Sequence, residues 1–480
     1  MKKKFLYIFS LGVALSALSV SSCNEDKLRL LPEIGSPVEE AIKNESDMKV
    51  VLNGVYTRMS SSSGFGAAVS IFGDLLSDNT FVSNVNSGYF LNTSRMSYSA
   101  EISDFSMMDS FYDVIQQANM VISNESVPVT TNVRHYKAEA KIARAMAYFY
   151  LLSFYSPDPK SGVNQEYGVP IIPELYNPND KLGRSSVAEG YNYVISDLES
   201  AITQLADASA PAKKSLLSVN AAKLLLSRIY LTRGANGDYQ KSIDYANQLI
   251  NIAPTGTQAF TMSTYQSYFA GNNSGVMDNQ PETIFEIEQT NLFNVGGNAH
   301  PASFYANNGN HKSLLYRQSF VSIFQNNDWR KGLVGAQGPI QDTPRGNFAR
   351  KWVRLTNDEG NYASNIKLMR FSEAYLNKAE ALFKMGDNAA ALATLNDFKQ
   401  KRAANPISTI SLQEILDERR REFFAEGYRY FDLKRNGLPI IKESNCTDHC
   451  NVPATDRLFV LPIPYSEINI NPNITQYPGW

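Results

Sequence analysis

The chain has few of the residues that most often perform chemistry: its 480 residues include four histidines and three cysteines. The histidines lie at positions 135, 300, 311 and 449, too far apart in sequence to indicate a metal cluster. No GxSxG elbow, HExxH motif or P-loop is present, and Gly64-Phe65-Gly66 lacks the third glycine of a dinucleotide-binding fingerprint. The sequence therefore indicates no metal, no cofactor and no recognisable catalytic centre.

An excess of charge of either sign is also lacking. There are 45 Lys and Arg residues against 47 Asp and Glu residues, which gives a formal net charge of -2. Such a chain has no extended basic field, so nucleic-acid binding is not expected. Tyrosine and phenylalanine are abundant, with 26 and 25 residues, and they favour a polar and aromatic surface that suits sugars or peptides.

Long apolar runs are scarce, and the one such run lies at the start of the chain. Three lysines precede the apolar stretch 5–20, which is too short for a comfortable transmembrane span. Val20-Ser21-Ser22-Cys23 then fits a bacterial lipoprotein signal, in which the Cys23 thiol is lipidated. We predict a signal peptide over residues 1–22 and a mature chain, 23–480, anchored to a membrane by lipid. An ordinary signal peptide with an incidental cysteine is the alternative.

Two further cysteines, Cys446 and Cys450, remain as a pair around His449. Outside the cytoplasm, a disulfide that closes a short loop is the expected fate of such a pair. A metal site is the alternative, but it would need more ligands than the neighbouring Asp448 supplies. We predict a disulfide that fastens this loop locally.

Most of the mature chain shows the spacing of amphipathic helices. In Tyr136–Tyr155 apolar residues recur every three or four positions, and Ser156-Pro157 ends the run. Similar runs cover 111–123, 187–202 after a start at Ser186, 219–230 and 239–250. Each pair of helices leaves an apolar face uncovered, so neighbouring pairs must stack to close a core.

The stretch from Met369 to Asn436 shows this pattern most clearly. Alanines and leucines on both sides of Gly386-Asp387 predict an αα-hairpin of the tetratricopeptide type, and Gly237-Asp238 repeats that turn. Ser411 and Glu414 predict the start of a further helix, which Gly427 can end. We interpret the run Arg419-Arg420-Arg421 on this helix as a solvated or salt-bridged face.

These patterns predict a mainly α fold, in which a tetratricopeptide-like scaffold of helical hairpins carries loop-rich, partly β insertions. Within one domain we place the scaffold at about 105–250 and 366–436, the insertions at about 60–104 and 251–358, and a C-terminal segment at 437–480. Strand-like pieces occur at 283–288 and 348–355. Loops on a rigid scaffold usually carry binding groups, so we expect the function in the insertions.

Several of these segments resemble the SusD/RagB family. They are EAYLNKAEALFKMGD (373–387), RRREFFAEGYRYFDLKRNG (419–437), the C-terminal segment 459–480, AEAKIARAMAYFYLLSFYSP (138–157), YGVPII (167–172), NGVYTRM (53–59) and SDN (77–79). The resemblance spans nearly all of the mature chain. It is strong in the helices and weak in the loops.

The resemblance implies a SusD-like α/α fold and a nutrient-binding outer-membrane lipoprotein of Bacteroidetes. Such proteins capture glycans, or in some relatives peptides, and deliver them to a SusC-type TonB-dependent transporter. Asn24-Glu25-Asp26 resembles the acidic tether of surface-exported lipoproteins, so cell-surface exposure is expected, with a periplasmic orientation as the alternative. Asp328-Trp329-Arg330 resembles a family position at which Asp and Arg hold the scaffold.

Aromatic side chains beside amides are the candidates for ligand binding. A pyranose has an apolar C–H face and a polar rim, so its site needs an aromatic plane next to hydrogen-bonding groups. In the first insertion the candidates are Tyr89, Phe90 and Asn92. In the second insertion they are Phe304, Tyr305 and Trp329.

A surface glycoside hydrolase is an alternative from another functional class. It would need two carboxylates at a defined separation. Glu286 and Glu288 lie two apart on a predicted strand and so share one face, but a solvated strand face is the simpler interpretation. We therefore expect a binding protein and not an enzyme. A repeat adaptor that binds only protein is a third possibility.

Overall fold

The computed structural model describes residues 41–102, 104–175, 177, 179–253, 261–271, 278–290, 293–354 and 362–480. The predicted signal peptide, Cys23 and the acidic residues after it lie outside the described residues. Among the residues described, no helix combines the length and the apolar character needed to cross a membrane.

Strands are few and short, and helices are the main regular structure of the described chain. In the N-terminal half they are α1 (Glu45–Met59), α2 (Ala68–Leu75), α3 (Leu91–Arg95), α4 (Met107–Ile122), α5 (Thr131–Tyr155), α6 (Val187–Gln204), α7 (Val219–Arg233) and α8 (Asp238–Ile250). In the C-terminal half they are α9 (Met262–Ala270), α10 (Pro301–Tyr305), α11 (Gln318–Val321), α12 (Phe371–Lys384), α13 (Asn388–Gln400), α14 (Leu412–Phe423), α15 (Arg429–Arg435) and α16 (Tyr465–Ile470). The prediction of a mainly α fold is confirmed.

The long helices pack side by side in a continuous row. Helix α1 packs on α4, and the row continues through α5, α6, α7 and α8. From α8 it passes directly to α12 and then to α13, although residues 251–370 lie between α8 and α12 in sequence. The structure therefore has the predicted stacked hairpins, and the residues between α8 and α12 are an excursion from the row.

Local signals in the sequence explain where several of these helices begin. The Ser186 hydroxyl accepts from the backbone N–H of Glu189, and the Glu189 carboxylate accepts from the N–H of Ser186 at 2.8 Å, so α6 starts with a capping box. Gly386 ends the α12 turn with a φ of +86°, and the Asp387 carboxylate then accepts from the N–H of Ala390 at 3.1 Å. The Ser411 hydroxyl caps α14 in the same way.

Short strands connect the two insertions. The strands are β1 (Thr80–Val82), β2 (Thr283–Ile287), β3 (Leu314–Tyr316), β4 (Val334–Gln337), β5 (Asn347–Ala349), β6 (Ile366–Arg370), β7 (Ile440–Ile441) and β8 (Asn451–Val452). One antiparallel sheet has the order β1-β3-β5-β4, with Thr80 opposite Tyr316 and Tyr316 opposite Asn347. Because β1 comes from the first insertion and the other three strands from the second, this sheet holds the two insertions together.

Two smaller pairs complete the strands. Strand β2 pairs antiparallel with β6, which leads directly into α12 and so ties the second insertion to the helical row. Strand β7 pairs with β8 across a loop in which Cys446 and Cys450 are joined by a disulfide. The predicted strand at 283–288 matches β2. The predicted strand at 348–355 is a strand only at its start, where residues 348 and 349 belong to β5. Leu355 lies outside the described residues.

The arginine run on α14 is buried, which corrects part of its interpretation. Arg419, Arg420 and Arg421 are at most 8% exposed. Arg419 pairs with Asp432 at 3.0 Å, and Arg421 pairs with Glu418 at 2.7 Å. The run is thus salt-bridged but not solvated, because α12 and α15 pack on α14. Asp432 of α15 is the partner of Arg419, and Glu418 of α14 itself is the partner of Arg421.

A larger buried network surrounds Glu422, the residue after this run. Its carboxylate lies 2.8 Å from Arg370, 3.1 Å from Arg402 and 3.4 Å from Arg330. Burial alone would raise the pKa of Glu422, but the three guanidinium groups hold it well below its ordinary value. Arg330 also pairs with Asp328 at 2.8 Å, so this Asp and Arg do hold the scaffold, as the resemblance implied.

The strand face that carries Glu286 is also buried. Glu286 is 0% exposed, and its carboxylate accepts from the N–H of Asn279 at 2.7 Å and from the Asn365 amide at 2.8 Å. The interpretation of this position as a solvated strand face was wrong, because residues 278–280 and β6 cover β2. Lys213 pairs with Glu288 at 2.6 Å nearer the surface.

A close backbone contact positions α2 against the turn that follows α14. Helix α14 ends at Phe423 and not at the predicted Gly427. Gly427 has a φ of +81°, and a side chain there would collide with the backbone of Val69. A side chain at Gly73 would collide with Gly427 in turn. Two glycines therefore let α2 lie directly on the scaffold, with its N-terminus turned toward the insertions.

Candidate functional site

A surface cleft of about 620 Å³ lies between the two insertions and the N-terminus of α2. Three of the predicted aromatic residues, Tyr89, Phe90 and Phe304, line this cleft. Its walls combine small polar residues, apolar residues of α2 and an aromatic group. The lining residues are Ser62, Ser63, Ala67, Ala68, Ile71, Phe72, Ser87, Gly88, Tyr89, Phe90, Asp104, Ser106, Asn298, Ala299 and Phe304.

An aromatic cluster forms one wall of the cleft. Tyr89 is 40% exposed, and its ring lies 5.6 Å from Phe304 and 4.4 Å from the imidazole of His311, between ring centroids. Phe90 lies 4.8 Å from Phe304, and His311 stacks on Phe304 with an interplanar angle of 19°. The partly exposed Tyr89 ring is therefore supported from behind by three rings, which keeps one aromatic plane available to a ligand.

Hydrogen bonds order the loop that carries Tyr89. The buried Asp342 carboxylate accepts from the Ser83 hydroxyl and from the backbone N–H of Asn84, both at 2.7 Å. The Asn86 side chain accepts from the N–H of Gly88, which has a φ of +90°. The Ser87 hydroxyl then lies 2.8 Å from Nδ1 of His311. Both insertions thus contribute to fixing this loop.

Helix α10 places Phe304 under Tyr89. The helix starts at Pro301, and the preceding His300 accepts the backbone N–H of Ala302 at its Nδ1 atom. Nε2 of His300 lies 3.1 Å from the carbonyl oxygen of Ser364, so the neutral ring both donates and accepts. Burial lowers the pKa of His300 to about 4. The uncharged imidazole is therefore part of the support of the aromatic wall.

A further part of the lining, the polar wall, consists of Ser63, Asp104, Ser106 and Asn298. The Ser106 hydroxyl donates to the Ser63 hydroxyl at 2.8 Å, which joins the start of α4 to the turn before α2. One carboxylate oxygen of Asp104 accepts from the backbone N–H and the hydroxyl of Thr93, at 3.1 and 2.6 Å. The cleft thus combines hydroxyl, amide and carboxylate groups with an aromatic ring, which is the combination that a sugar ring requires.

The structure brings together three of the six candidate residues and separates the other three. Tyr89, Phe90 and Phe304 line the cleft. Tyr305 is a correction: Phe304 and Tyr305 are both buried, at 1% and 0% exposed, but Tyr305 does not line the cleft and stacks on Tyr316 in the core. The two neighbours differ because α10 turns successive side chains by about 100°.

Asn92 and Trp329 also lie outside the lining of the cleft. Asn92 is in the first turn of α3, where its carbonyl oxygen accepts from the N–H groups of Met96 and Ser97. Trp329 packs against the core, and its carbonyl oxygen accepts from Gln266 at 3.0 Å. Trp352 is buried, and it donates its indole N–H to the carbonyl oxygen of Ala425.

Sequence reasoning missed other members of the site. Phe72 lies on a helix that is almost entirely buried, so no pattern separated it from core residues. Asp104 stands in a segment without periodicity. His311 appeared only as one of four scattered histidines, although a histidine beside Asn308 and Asn310 in a loop carries the same signal as the aromatic candidates.

A second cleft, of about 490 Å³, lies on the other side of the scaffold near Tyr239 and Tyr477. It is lined by several cations, of which Lys434 donates to the carbonyl oxygens of Ser153 and Ser156. Arg435 is held by Glu380 and Asp432. Its side chains are thus engaged mainly in holding the scaffold together. In the described chain, no group of three or more His, Cys, Asp or Glu side chains could hold a metal ion.

Comparison with known proteins identifies the family. The model of the SusD family matches residues 236–480, and a second model, described as starch-binding associating with outer membrane, matches residues 28–231. The starch-binding protein SusD of Bacteroides thetaiotaomicron is 23% identical over 450 residues, and the match covers 77% of each chain.

Solved structures agree with this result. A SusD superfamily protein from Bacteroides thetaiotaomicron is 26% identical and superposes with a TM-score of 0.81, covering 91% of this chain and all of the other. The surface glycan-binding protein A from Bacteroides fluxus covers 91% of this chain and 99% of the other, with a TM-score of 0.70. At 22% identity that second likeness shows the fold alone. Because one family model matches half of the sequence and a second matches most of the remainder, this chain belongs to the SusD family.

Proposed function

We propose that this protein is a non-catalytic binding protein that captures oligosaccharide or polysaccharide in the cleft beside Tyr89. The observation that carries the proposal is the geometry of this residue. Its ring is 40% exposed, is supported by Phe304 and His311, and faces a cleft lined by serines, Asn298 and Asp104. A pyranose would stack its C–H face on Tyr89 and direct its hydroxyls to the polar wall.

The comparisons support the choice of a glycan as ligand. The matching relative from Bacteroides thetaiotaomicron is named a starch-binding protein, and the family model over residues 28–231 is described as starch-binding. We propose a glycan for this chain without specifying the polysaccharide. A peptide is the alternative ligand that the family resemblance implies.

Binding without catalysis is supported by the make-up of the cleft. Glycoside hydrolysis canonically uses two carboxyl groups that flank the scissile bond, roughly 5 to 10 Å apart. Asp104 is the one carboxylate among the residues that line the cleft. Incubation with a bound polysaccharide should therefore release no new reducing ends, whereas their appearance in proportion to protein would indicate a hydrolase.

We further propose that the protein is lipid-anchored through Cys23 at the outer surface of the outer membrane and passes its ligand to a SusC-type TonB-dependent transporter. The lipoprotein signal and the family description as associating with outer membrane support this placement. Tagged protein purified from detergent-solubilised membranes should bring down a large β-barrel protein. Its repeated absence would contradict delivery to a transporter, and mass spectrometry of a free Cys23 thiol would contradict the anchor.

A binding panel tests the proposed site directly. Protein that lacks residues 1–23 is titrated with soluble polysaccharides and with peptides by affinity electrophoresis and calorimetry. Tyr89→Ala should weaken binding of any glycan hit at least tenfold, because it removes the stacking plane. Tyr465→Ala is the matched control, since Tyr465 is 52% exposed and lies outside the cleft. Glycan binding that is unchanged in Tyr89→Ala would contradict the site, and hits among peptides alone would contradict the ligand.

A further inference from the structure

The cleft beside Tyr89 has an unusual distribution of charge for a chain in which nearly a fifth of residues are ionisable. Among the described residues that line it, Asp104 is the one Asp, Glu, Lys or Arg. The remaining polar lining consists of hydroxyl groups and one amide, including Ser63, Ser106 and Asn298. No lysine or arginine is among the lining residues, so the cleft offers no cationic side chain to a bound anion.

The carboxylate of Asp104 is held in place but not neutralised. Its Oδ2 atom accepts from the N–H and the hydroxyl of the buried Thr93. Its Oδ1 atom accepts no hydrogen bond from any described residue, and no cation forms a salt bridge with the group in the described chain. A carboxylate with one fixed and one free oxygen is suited to accept hydrogen bonds from neutral hydroxyls or from an ammonium group.

The N-termini of α2 and α4, which lie near the cleft, do not provide an anion-binding site that would offset the charge of Asp104. At the start of α2, the N–H groups of Ala68 and Val69 already donate to the carbonyl oxygens of Ser62 and Gly64. The first turn of α4 contains another carboxylate, Asp109. Among the described residues that line the cleft there is thus one acidic side chain and no basic one.

From this arrangement we infer that the cleft selects uncharged glycans over glycans whose sugars carry carboxylate or sulfate groups, and that Asp104 determines this selectivity. The inference rests on the proposed function and adds the chemical class of the ligand. An anionic substituent near Asp104 would meet an unpaired like charge in a cleft with no cation to offset it, whereas a neutral hydroxyl would donate to Oδ1.

The experiment uses the glycan hit of the binding panel in two forms. One form is the neutral oligosaccharide, and the other is the same oligosaccharide oxidised at C6, so that primary hydroxyls become carboxylates. Affinities of both forms are measured by calorimetry for the wild-type chain and for Asp104→Asn. The asparagine oxygen can still accept from Thr93, so the substitution removes the charge while it keeps the local hydrogen bonds.

The matched control is Asp113→Asn. Asp113 lies on α4 with a side chain that is 59% exposed, it pairs with Arg58 at 3.5 Å, and it does not line the cleft. Wild-type protein should bind the neutral form roughly tenfold or more tightly than the oxidised form. Asp104→Asn should reduce this ratio by roughly tenfold, while Asp113→Asn should leave it within about twofold. In the wild-type protein, the ratio should also shrink in 1 M salt.

Two results would overturn the inference. The first is an oxidised glycan that binds the wild-type chain as tightly as the neutral form. The second is a ratio that Asp104→Asn and Asp113→Asn change equally. Either result leaves the proposed function intact if Tyr89→Ala still weakens binding of the neutral glycan at least tenfold. If the neutral glycan binds equally well to Tyr89→Ala, the proposed function fails and the inference fails with it.

Discussion

The helical scaffold and the ligand cleft use charge in opposite ways. Around α14 the scaffold buries many charged side chains and pairs them with one another, as at Glu422 with Arg370 and Arg402. The cleft beside Tyr89 is lined almost entirely by neutral groups. Charge in the scaffold thus serves to hold the frame together, whereas the recognition that we propose for the cleft uses aromatic and hydroxyl groups and the single carboxylate of Asp104. The formal net charge of -2 does not by itself show this difference between the scaffold and the cleft.

Pairing is what makes the buried charges tolerable. Moving an isolated guanidinium or carboxylate out of water costs several kcal/mol, and the mutual attraction of the groups offsets that cost when the geometry is good. Glu422 meets three arginines within 3.4 Å, and Tyr265 donates to it at 3.3 Å. The network is therefore stable as a whole and sensitive to loss of any central member.

The largest expected effect comes from removing the centre of this network. Glu422→Gln leaves Arg330, Arg370 and Arg402 with less negative charge in a region without solvent, so the free energy of unfolding should fall by about 3–5 kcal/mol. Urea unfolding followed by circular dichroism measures this change. Asp397→Asn is the control: Asp397 pairs with Lys401 at 2.9 Å but is 53% exposed, and its loss should cost less than about 0.5 kcal/mol. Similar losses in both variants would contradict the difference between buried and exposed pairs.

The next effect concerns His300, which supports the aromatic wall without a charge. Burial lowers its pKa to about 4, below the ordinary value of about 6.5. The folded state therefore binds this proton less readily than the unfolded state. The stability contributed by the neutral ring is fully present above pH 6.5 and is lost as the pH falls from about 6.5 to about 4, by up to about 3 kcal/mol.

His300→Asn isolates this contribution. Asparagine can still accept the N–H of Ala302 but does not titrate, so the difference between wild-type and variant stability should shrink on acidification. Unfolding curves at several pH values measure it. Asp74, whose pKa burial raises to about 6, titrates in the same window in both proteins and cancels in the difference. A difference that is constant with pH would contradict the assignment of a buried neutral histidine.

A smaller effect should follow from loosening the loop that carries Tyr89. Asp342→Ala removes the acceptor for Ser83 and Asn84, so the loop must be ordered when ligand binds, and glycan affinity should fall by roughly three- to tenfold. Calorimetry with the glycan hit measures the change. Asp342→Asn keeps one acceptor oxygen and should lie between alanine and wild type. Unchanged affinity in both variants would show that the loop is ordered by other contacts.

The smallest expected effect is that of Tyr89→Ala on stability. The ring is partly exposed and lies in the proposed binding cleft, so the free energy of unfolding should change by about 1 kcal/mol or less. Differential scanning calorimetry compares the variant with Tyr465→Ala. A loss as large as that of Glu422→Gln would mean that the cleft and the scaffold cannot be separated energetically.

Much of the scaffold was predictable because its signals are local. Ser186, Gly386 and Asp387 start or end helices through contacts within a few residues, and the apolar spacing of 136–155 marks a helix without reference to the rest of the chain. The fold class and the family resemblance followed from these segments.

The site was less predictable because its members meet only in three dimensions. Tyr89 and Phe304 were found as aromatics beside amides, but the same pattern selected Tyr305, which α10 turns into the core. The arginine run of α14 shows the same limit, since its burial depends on carboxylates as distant in sequence as Asp78. Asp104 and His311 join the site through partners from other segments, Thr93 and Ser87, that no local pattern connects to them.

The most direct test of the account is a crystal structure of the chain with the bound oligosaccharide. The account predicts a sugar ring stacked on Tyr89, with a hydroxyl within hydrogen-bonding distance of Asp104 and no change in the Glu422 network. A glycan bound instead in the second cleft, beside Tyr239 and Tyr477, with the Tyr89 cleft empty, would contradict it.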